Sequence, residues 1–465
     1  MELELEENTI YQTFLSELEG KIQILAPGID GYEESIRRRS TAAEKHAAAV
    51  IFPRTTDEVS KIVKVARANR IEFVVCCGWQ SAGCASSIEN GIVIDLRKMN
   101  TVTVHEESKT LTVQGGCTWA DVNEEASRWG LATVGGIVNH TSVGGHILGG
   151  GYGWLTARNG LAIDNLLEAE LVLADGSIVQ ASSIENPDLF WAIRGAGASF
   201  AIATSFTLQA HYQLNPVWSG KLIFTADKLP SIVEFANRHH ERAEDQGFIF
   251  GFMCPPAGFK PVIIAVPFYN GTQEDAKKYF KELLDIGPVI DQTSWMPYEQ
   301  ANATFNDHVS FGARKSSGSS TVKAPFTLSL LQAVFDEFAR FIGSNRDAGV
   351  ERSLVVFTLI PYKKIREVKL EDMAYANRGD YYNADVWLRW KDPALDHKAR
   401  AFARAMSERI HQIGRTAKDQ GVGAYANNAE HQLDAMGLFG VNTDQLVELK
   451  KKYDPDNVFR TWRDV

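Results

Sequence analysis

Short apolar runs separated by glycines and turn residues fill the chain up to about residue 211. Runs such as AAAVIF, EFVVC, GIVIDL and TLTVQGG are rich in β-branched residues, which is typical of strands. Asp175 and Gly176 separate two further runs, ELVL and SIVQA, and predict a hairpin. Helices are predicted over 55–70, which has a threonine cap and an acidic first turn, and over 118–129. This half is therefore expected to mix strands and helices in an α+β manner.

The second half has longer helical periodicities that alternate with strand-like runs. The helices are predicted over about 228–245, 273–285, 325–343, 393–419 and 442–453. The runs GKLIFTA, FIFGFMC, PVIIAVPFY, SLVVFTLIP and ADVWLRW are predicted to be strands. Several strands followed by helices favour an antiparallel sheet covered by helices on one side. The pattern changes near 212–216, where we place a domain border.

Composition narrows the class of protein. Of the 465 residues, 45% are apolar and 23% charged, which is typical of a globular protein. Subtracting 58 acidic from 48 basic residues gives a net charge of −10, which argues against a partner such as nucleic acid or an anionic membrane. The acidic N-terminus resembles no signal peptide, and no apolar run is long enough to span a membrane. Together with five cysteines, an odd number, this predicts free thiols in an intracellular, cytoplasmic protein.

Three of those cysteines fall in one stretch, VVCCGWQSAGCASS at 74–87. Cys76 and Cys77 are adjacent and Cys84 follows seven positions later, a spacing that fits neither a zinc site nor a C-x-x-C redox pair. We therefore predict no metal site.

Glycine is concentrated in residues 135–153, GGIVNHTSVGGHILGGGYG, with eight glycines in nineteen positions. Such density carries an entropic cost and indicates backbone at positive φ or backbone close to a ligand. Consecutive amides without side chains form nests for anionic oxygens such as those of a diphosphate. The segment matches neither a P-loop nor a strand-bounded G-x-G-x-x-G, so both nucleotide motifs are disfavoured.

Several segments together resemble one family, the berberine-bridge-enzyme-like branch of the vanillyl-alcohol-oxidase superfamily of FAD-linked oxidases. They are FPRTTDEVSKIV, GIVIDLRKMNTV, VGGHILGGGYGWLTARNGLAIDNL, NPDLFWAIRGAGASFAIATSF, AYANNAEH and LKKKYDPDNVFR. The resemblance covers nearly the whole chain.

The resemblance implies an α+β fold of three parts. It predicts an FAD-binding domain over 1–211, whose PCMH-type core of two α+β subdomains begins at about residue 44. It also predicts a substrate domain over 212–420 that contains an antiparallel sheet. A C-terminal segment over 421–465 returns to the first domain. It assigns cofactor contacts to Gly78, Trp79, Gln80, Ser81, Gly135, Gly136, Val138, Val143, Gly144, Gly145, His146, Gly149, Gly150, Gly151, Tyr152, Ile202, Tyr425 and Asn427. The cysteines at 76–84 are then incidental to a diphosphate turn.

Two departures concern attachment of the flavin. Many members bind it covalently through a histidine in G-G-H-S and a cysteine in G-x-C. Here Gln80 replaces the histidine and Val138 the cysteine, and neither side chain can bond a flavin carbon. Cys84 lies four positions from Gln80, but we expect FAD to be bound non-covalently.

A third departure concerns proton transfer. Related oxidases often have Y-x-N-Y, whose second tyrosine helps to deprotonate the substrate, whereas this chain has Asn428 there. Hydride transfer from a hydroxyl or amine still needs a base. The candidates in the second half are His308, Tyr375, Asp380, Tyr381 and Tyr382.

The resulting expectation is an FAD-dependent oxidoreductase that oxidises a small organic molecule of secondary metabolism. Hydride would pass to flavin N5, and oxygen would reoxidise the flavin. The alternative is a redox-neutral cyclase or pericyclase of the same fold, which uses FAD only as scaffold. Loss of both tethers and of the tyrosine keeps this alternative open. Bleaching of the flavin on anaerobic addition of substrate separates the two.

Overall fold

Small sheets and helices alternate in the first half of the computed structural model, which describes residues 8–79, 84–255, 260–414, 424–429 and 433–460. The strands of this half are β1 Gln23–Leu25, β2 Ala49–Phe52, β3 Phe73–Cys76, β4 Ile92–Asp95, β5 Val102–His105, β6 Thr110–Gln114, β7 Leu131–Ala132, β8 Leu166–Val172, β9 Ile178–Ser182, β10 Ile202–Gln209 and β11 His211–Tyr212. Its helices are α1 Thr9–Glu17, α2 Tyr32–Ile36, α3 Thr56–Ala68, α4 Trp119–Ser127, α5 Val143–Leu148, α6 Thr156–Asn159 and α7 Pro187–Ala196.

Two main sheets organise this half. The first has the order β1-β2-β4-β3, with β2, β4 and β3 parallel and β1 antiparallel. The second is antiparallel with the order β5-β6-β10-β8-β9, and β7 pairs separately with β11. The predicted hairpin is confirmed, since β8 and β9 pair antiparallel across the turn that contains Asp175 and Gly176.

The two predicted helices of this half begin at capping residues. The Thr55 hydroxyl accepts a hydrogen bond from the Glu58 backbone N–H at the start of α3. Thr118 and Asp121 form a reciprocal capping box at the start of α4. Such caps satisfy backbone N–H groups that have no partner within the helix, which explains why these helices begin where the sequence predicts them.

The second half contains one large sheet with helices. Its strands are β12 Val217–Ser219, β13 Leu222–Phe224, β14 Gly247–Met253, β15 Val262–Tyr269, β16 Ile290–Asp291, β17 Ser294–Met296, β18 Arg314–Val322, β19 Leu354–Leu359 and β20 Tyr382–Trp390. Its helices are α8 Leu229–Arg242, α9 Gln273–Tyr279, α10 Lys281–Asp285, α11 Tyr298–Ala301, α12 Leu328–Ser344, α13 Asp396–Ile413, α14 Ala435–Phe439 and α15 Thr443–Tyr453. The segment predicted as one helix over 273–285 is two short helices.

The large sheet is antiparallel and separates two cores. Its main order is β16-β13-β15-β14-β19-β20-β18, and β12 pairs with both β15 and β17. Phe248, Phe250 and Phe252 of β14 join the apolar cluster that contains α8, α12 and α13, whereas Ile249 and Met253 join the cluster shared with the first half. The predicted antiparallel sheet covered by helices on one side is therefore confirmed. Its other face packs on the first half.

The C-terminal helices pack against the first half. Lys450 on α15 is buried and donates hydrogen bonds to the backbone carbonyl of Ser199 at 2.6 Å and to Asp454 at 2.7 Å. The same ammonium donates to the carbonyl of Phe459 at 3.0 Å. Of the helices in the described ranges, none combines the length and the apolar character that crossing a bilayer requires.

Candidate active site

A cavity of about 330 Å³ lies where the two small sheets meet the large one. Four parts of the chain line it: β3 and the turn after it, the glycine segment, residues 198–203, and residues 425–429. Ser317 of β18 and Trp387 of β20 line it from the large sheet, and further lining residues are Arg39, Ala85, Ser86, Val309 and Phe459.

Ten of the eighteen residues predicted to contact the cofactor line this cavity. They are Gly78, Gly136, Val138, Gly144, Gly145, His146, Tyr152, Ile202, Tyr425 and Asn427. Gln80 and Ser81 lie outside the described residues. The other six, Trp79, Gly135, Val143, Gly149, Gly150 and Gly151, are absent from the lining.

The glycines outside the lining allow close packing behind the cavity wall. Gly150 has φ +105°, and a Cβ there would lie 2.3 Å from the ring of Tyr375. A Cβ on Gly149 would lie 2.0 Å from Asn427 Oδ1. Similarly, Gly135 packs on the ring of Trp119. These glycines therefore let three side chains reach the backbone of the segment.

The described part of the turn after β3 is held by contacts with neighbouring parts of the chain. The backbone carbonyl of Trp79 accepts a hydrogen bond from the Arg39 backbone N–H at 2.9 Å. The indole ring of Trp79 lies 4.6 Å from the Arg97 guanidinium. Cys76 and Cys77 are free thiols, and burial raises the pKa of Cys77 to about 12. Within the described ranges, no three His, Cys, Asp or Glu side chains are grouped to hold a metal ion.

His146 of the glycine segment is a neutral imidazole. It is half-buried and lines the cavity, its ring packs edge-to-face with Trp119 at 5.3 Å, and burial lowers its pKa to about 4. The carbonyl of His146 accepts a hydrogen bond at 3.1 Å from the side-chain amide of Asn427, which also donates to Tyr425 at 2.7 Å. The C-terminal motif is thereby tied to the glycine segment.

A buried carboxylate, that of Asp385 on β20, lies behind the wall of the cavity, where it contacts the lining residues Tyr152 and Asn428. It has no exposed surface, and its Oδ2 accepts a hydrogen bond from the Tyr152 hydroxyl at 3.2 Å. Burial raises the pKa of Asp385 to about 6, although hydrogen bonds from Asn428, Ser319 and Tyr152 oppose the rise. Burial, and to a smaller extent the negative charge of Asp385, raises the pKa of the Tyr152 hydroxyl well above its usual value. At neutral pH the site therefore combines a carboxylate with a protonated phenol.

Asp385 lies among residues that line the cavity. Ser319 is its cross-strand partner on β18, and the Ser319 hydroxyl accepts a hydrogen bond from the Tyr425 backbone N–H at 3.2 Å. The rings of Tyr152 and Tyr425 are 4.7 Å apart. Asn428, which stands where the resemblance places a tyrosine, also lines the cavity and faces the carboxylate.

All five residues proposed as bases from the sequence are, like Asp385, absent from the described lining of the cavity. Three of them contact other groups. The Asp380 carboxylate pairs with Lys323 at 2.8 Å. The ring of Tyr375 covers Gly150, and the Tyr381 hydroxyl donates to Asn377 Oδ1 at 2.8 Å.

The other two proposed bases also have partners elsewhere. Tyr382 points to the helix-covered face of the large sheet, where its hydroxyl lies 2.9 Å from His240 Nδ1. His308 Nδ1 lies 3.4 Å from the carbonyl of Arg352, and burial lowers the pKa of His308 to about 4. Tyr382 is turned away because alternate residues of a strand face opposite sides.

Asp385 is not among the candidates drawn from the sequence, because its strand is predicted from apolar content alone. A signal was present: in YNADVWLRW, polar Asn383, Asp385 and Arg389 alternate with Ala384, Val386 and Leu388. In a sheet buried on both faces, such alternation indicates that one face carries a polar site.

Comparison with known proteins identifies the family to which the chain belongs. A family model described as an FAD binding domain matches residues 47–182, and one described as berberine and berberine-like matches residues 424–463. The FAD-linked oxidoreductase pgmH of Aspergillus terreus is 33% identical over 454 residues, which are 93% of this chain and 90% of that protein. The chain belongs to the berberine-bridge-enzyme-like FAD-linked oxidoreductases. It is an FAD-dependent oxidoreductase.

Other FAD-linked oxidoreductases of this kind align over the same length. One from Dictyostelium discoideum is 26% identical over 458 residues, 97% of this chain and 95% of that protein. Among solved structures, 6-hydroxy-D-nicotine oxidase from Arthrobacter nicotinovorans superposes with a TM-score of 0.82 at 22% identity, covering 96% of this chain and 98% of that one. At that identity the superposition shows the fold alone, the PCMH-type FAD-binding architecture.

The residues around the cavity fit the FAD of this oxidoreductase family. A Cβ built on Gly145, which lines the cavity, would meet no atom within 4 Å, so open space lies in front of its backbone. Gly78, Gly144 and Gly145 also line the cavity, and their lack of side chains would let the diphosphate approach the backbone. Tyr152 and Asn427 would contact the flavin ring.

Proposed function

We propose that this oxidoreductase oxidises a small organic molecule of secondary metabolism by hydride transfer to non-covalently bound FAD, which oxygen then reoxidises. The observation that carries the proposal is the buried Asp385 carboxylate, which accepts a hydrogen bond from Tyr152 in the wall of the cavity that the FAD-binding and berberine-like segments line. When bound, FAD supplies the acceptor for two electrons.

The proposed proton acceptor is Asp385. Above about pH 6 its carboxylate is ionised and can take the proton that a substrate hydroxyl or amine releases. The Tyr152 hydroxyl keeps its proton and donates to Oδ2, so it fixes the orientation of the carboxylate. Asn428 has no titrating group, and its side-chain amide can only donate a hydrogen bond to the ionised carboxylate. In this proposal, Asp385 replaces the five bases suggested by the sequence.

Non-covalent attachment is supported by the side chains near the cofactor. Val138 lines the cavity with an isopropyl group, which cannot bond to a flavin carbon. Cys77 also lines the cavity, but it holds its proton at neutral pH and a Cβ on Gly144 would lie 2.9 Å from its sulfur. Since the thiolate is the nucleophilic form, a bond from Cys77 is disfavoured.

Anaerobic absorption spectroscopy tests the redox part of the proposal. Candidate secondary alcohols, amines and dihydro-aromatics are added to the purified holoenzyme without oxygen, and bleaching of the visible flavin band is expected with at least one class. Admission of air should restore the band and yield an oxidised product. A compound that is converted with the flavin oxidised throughout, under strict anaerobiosis, would instead establish the redox-neutral cyclase.

A further inference from the structure

Part of the cavity wall comes from the half of the chain that carries the large sheet. Among the described residues between 204 and 423, those that line the cavity are Val309, Ser317 on β18 and Trp387 on β20. The FAD-binding family model ends at residue 182, and the berberine-like model begins at residue 424. Because this part of the wall lies outside both matches, we expect it to face the substrate rather than to hold the cofactor.

Trp387 has the largest side chain in this part of the wall. It follows Asp385 by two positions on β20, so the two side chains lie on the same face of the sheet, about 7 Å apart along the strand. Its cross-strand partners are Ser317 on β18 and Leu354 on β19. Trp387 is half-buried, so part of its indole remains exposed in the cavity that it lines.

Packing fixes the orientation of this indole. The buried ring of Phe305 lies edge-on to Trp387, with the ring centroids 6.2 Å apart and the planes at 87°. Trp387 also packs against the apolar cluster that contains Val138 and Val309, which line the cavity as well. A flat side chain held in this way needs little further ordering when a ligand binds to it.

The chemistry of this part of the wall favours an apolar ring. Val309, Ser317 and Trp387 carry no formal charge, and Ser317 supplies the one hydroxyl among them. A sugar ring carries several hydroxyls, which lose hydrogen bonds to water on burial and need partners in the protein. An aromatic ring needs no such partners and is attracted to the indole in offset-stacked or edge-to-face contact.

We infer that Trp387 determines specificity by packing against an aromatic ring of the substrate, while the hydroxyl or amine to be oxidised lies towards Tyr152 and Asp385. This inference rests on the proposed function, and it makes the substrate an aromatic alcohol or amine rather than a sugar or an aliphatic compound.

Matched ring compounds test the inference by their affinity for the holoenzyme. Naphthylmethanol, its fully saturated counterpart decahydronaphthylmethanol and methyl glucoside are compared by equilibrium dialysis without oxygen, so that oxidation cannot exceed one turnover per flavin. Because the saturated ring system is the more apolar of the two, burial of apolar surface alone would favour it. Contact with Trp387 should instead make the naphthyl compound bind about three- to tenfold more tightly, and the glucoside should bind most weakly.

Three variants locate the source of this preference. Trp387→Leu should abolish the preference for the naphthyl compound, whereas Trp387→Phe, the milder change, should lower it without abolishing it. The matched control is Trp295→Leu, which removes an indole that is 50% exposed on β17 of the same sheet and absent from the described lining of the cavity. The control should leave the preference unchanged. FAD content and melting temperature are measured for every variant.

Several results would overturn the inference. They are equal affinity for the naphthyl and saturated compounds, tighter binding of the glucoside than of the naphthyl compound, and no binding of either ring compound at about 1 mM. Equal preferences in Trp387→Leu and Trp295→Leu would overturn it as well. If Trp387→Leu does not fold, an unchanged preference in Trp387→Phe has the same consequence.

The flavin spectrum separates this inference from the proposed function. A naphthyl preference that depends on Trp387, in protein whose flavin no compound reduces, would keep the aromatic site and remove the oxidation. Flavin reduction by saturated alcohols or amines, with the naphthyl and saturated compounds bound equally, would keep the oxidation and remove the aromatic site.

Discussion

Tyr152 of the glycine segment donates a hydrogen bond to Asp385 of the large sheet across 3.2 Å. The phenol and the carboxylate come from different halves of the chain, 233 positions apart, and meet at the cavity. The proposed base is consequently buried only when the two halves pack together. Its raised pKa is a property of that packing, which gives a first prediction about stability.

Asp385→Asn should stabilise the fold more at about pH 8 than at about pH 4. The pKa of Asp385 is about 6 in the folded protein, whereas the ordinary pKa of an aspartate is 3.8, so the folded state binds more protons between these values. The free energy of unfolding of the wild type therefore falls as pH rises through this window, and the amide removes that loss. The measurement is the melting temperature of both proteins at the two pH values. The exposed Asp30→Asn is the control, and an equal effect of Asp385→Asn at both pH values would show that the carboxylate is not desolvated.

Acid precipitation should release all the FAD into the supernatant. The reason is the isopropyl side chain of Val138 in the cavity, together with Gln80 in place of the histidine tether. The flavin absorbance of supernatant and pellet is compared, and the pellet is digested for peptide mass analysis. A flavin adduct on a peptide with Cys77 or Cys84 would contradict the prediction, and Cys77→Ser and Cys84→Ser would then identify the bond.

Gly150→Ala should destabilise the folded protein by about 1–3 kcal/mol or more. At φ +105° an alanine is strained, and its Cβ would lie 2.3 Å from the ring of Tyr375. Gly343→Ala, in helix α12 with no atom within 4 Å of the added Cβ, should be neutral or stabilising by up to about 1 kcal/mol. Denaturant unfolding of both variants measures the difference. Equal midpoints for the two variants would show that Tyr375 moves aside without cost.

The sequence predicted most of the fold because its signals are local. The threonine cap of the first long helix, the Asp175–Gly176 turn and the apolar strands each depend on a few adjacent residues. The family resemblance likewise located ten cavity-lining residues through contiguous motifs. The large sheet, in contrast, brings together residues far apart in the chain, and the facing of each strand depends on its register.

The candidate bases illustrate that limit. Tyr382 and Asp385 are three positions apart on one strand, so they face opposite sides of the sheet, one towards His240 and the other towards Tyr152. The alternation in YNADVWLRW marks one polar face, but the local sequence does not state that this face lies towards the first half. Only the paired strands β18 and β19, and the packing of the first half on one face, decide it.

The rate of anaerobic flavin reduction in Asp385→Asn tests the central claim most directly. The compound that bleaches the wild-type flavin is mixed with holoenzyme in a stopped-flow instrument at about pH 8, with FAD content and melting temperature checked beforehand. Loss of a general base is expected to slow reduction by about two to four orders of magnitude. Asp380→Asn and Tyr382→Phe, whose side chains face Lys323 and His240, should reduce at the wild-type rate. Asp385→Asn that binds FAD normally and reduces it as fast as the wild type would contradict the assignment of Asp385 as the base.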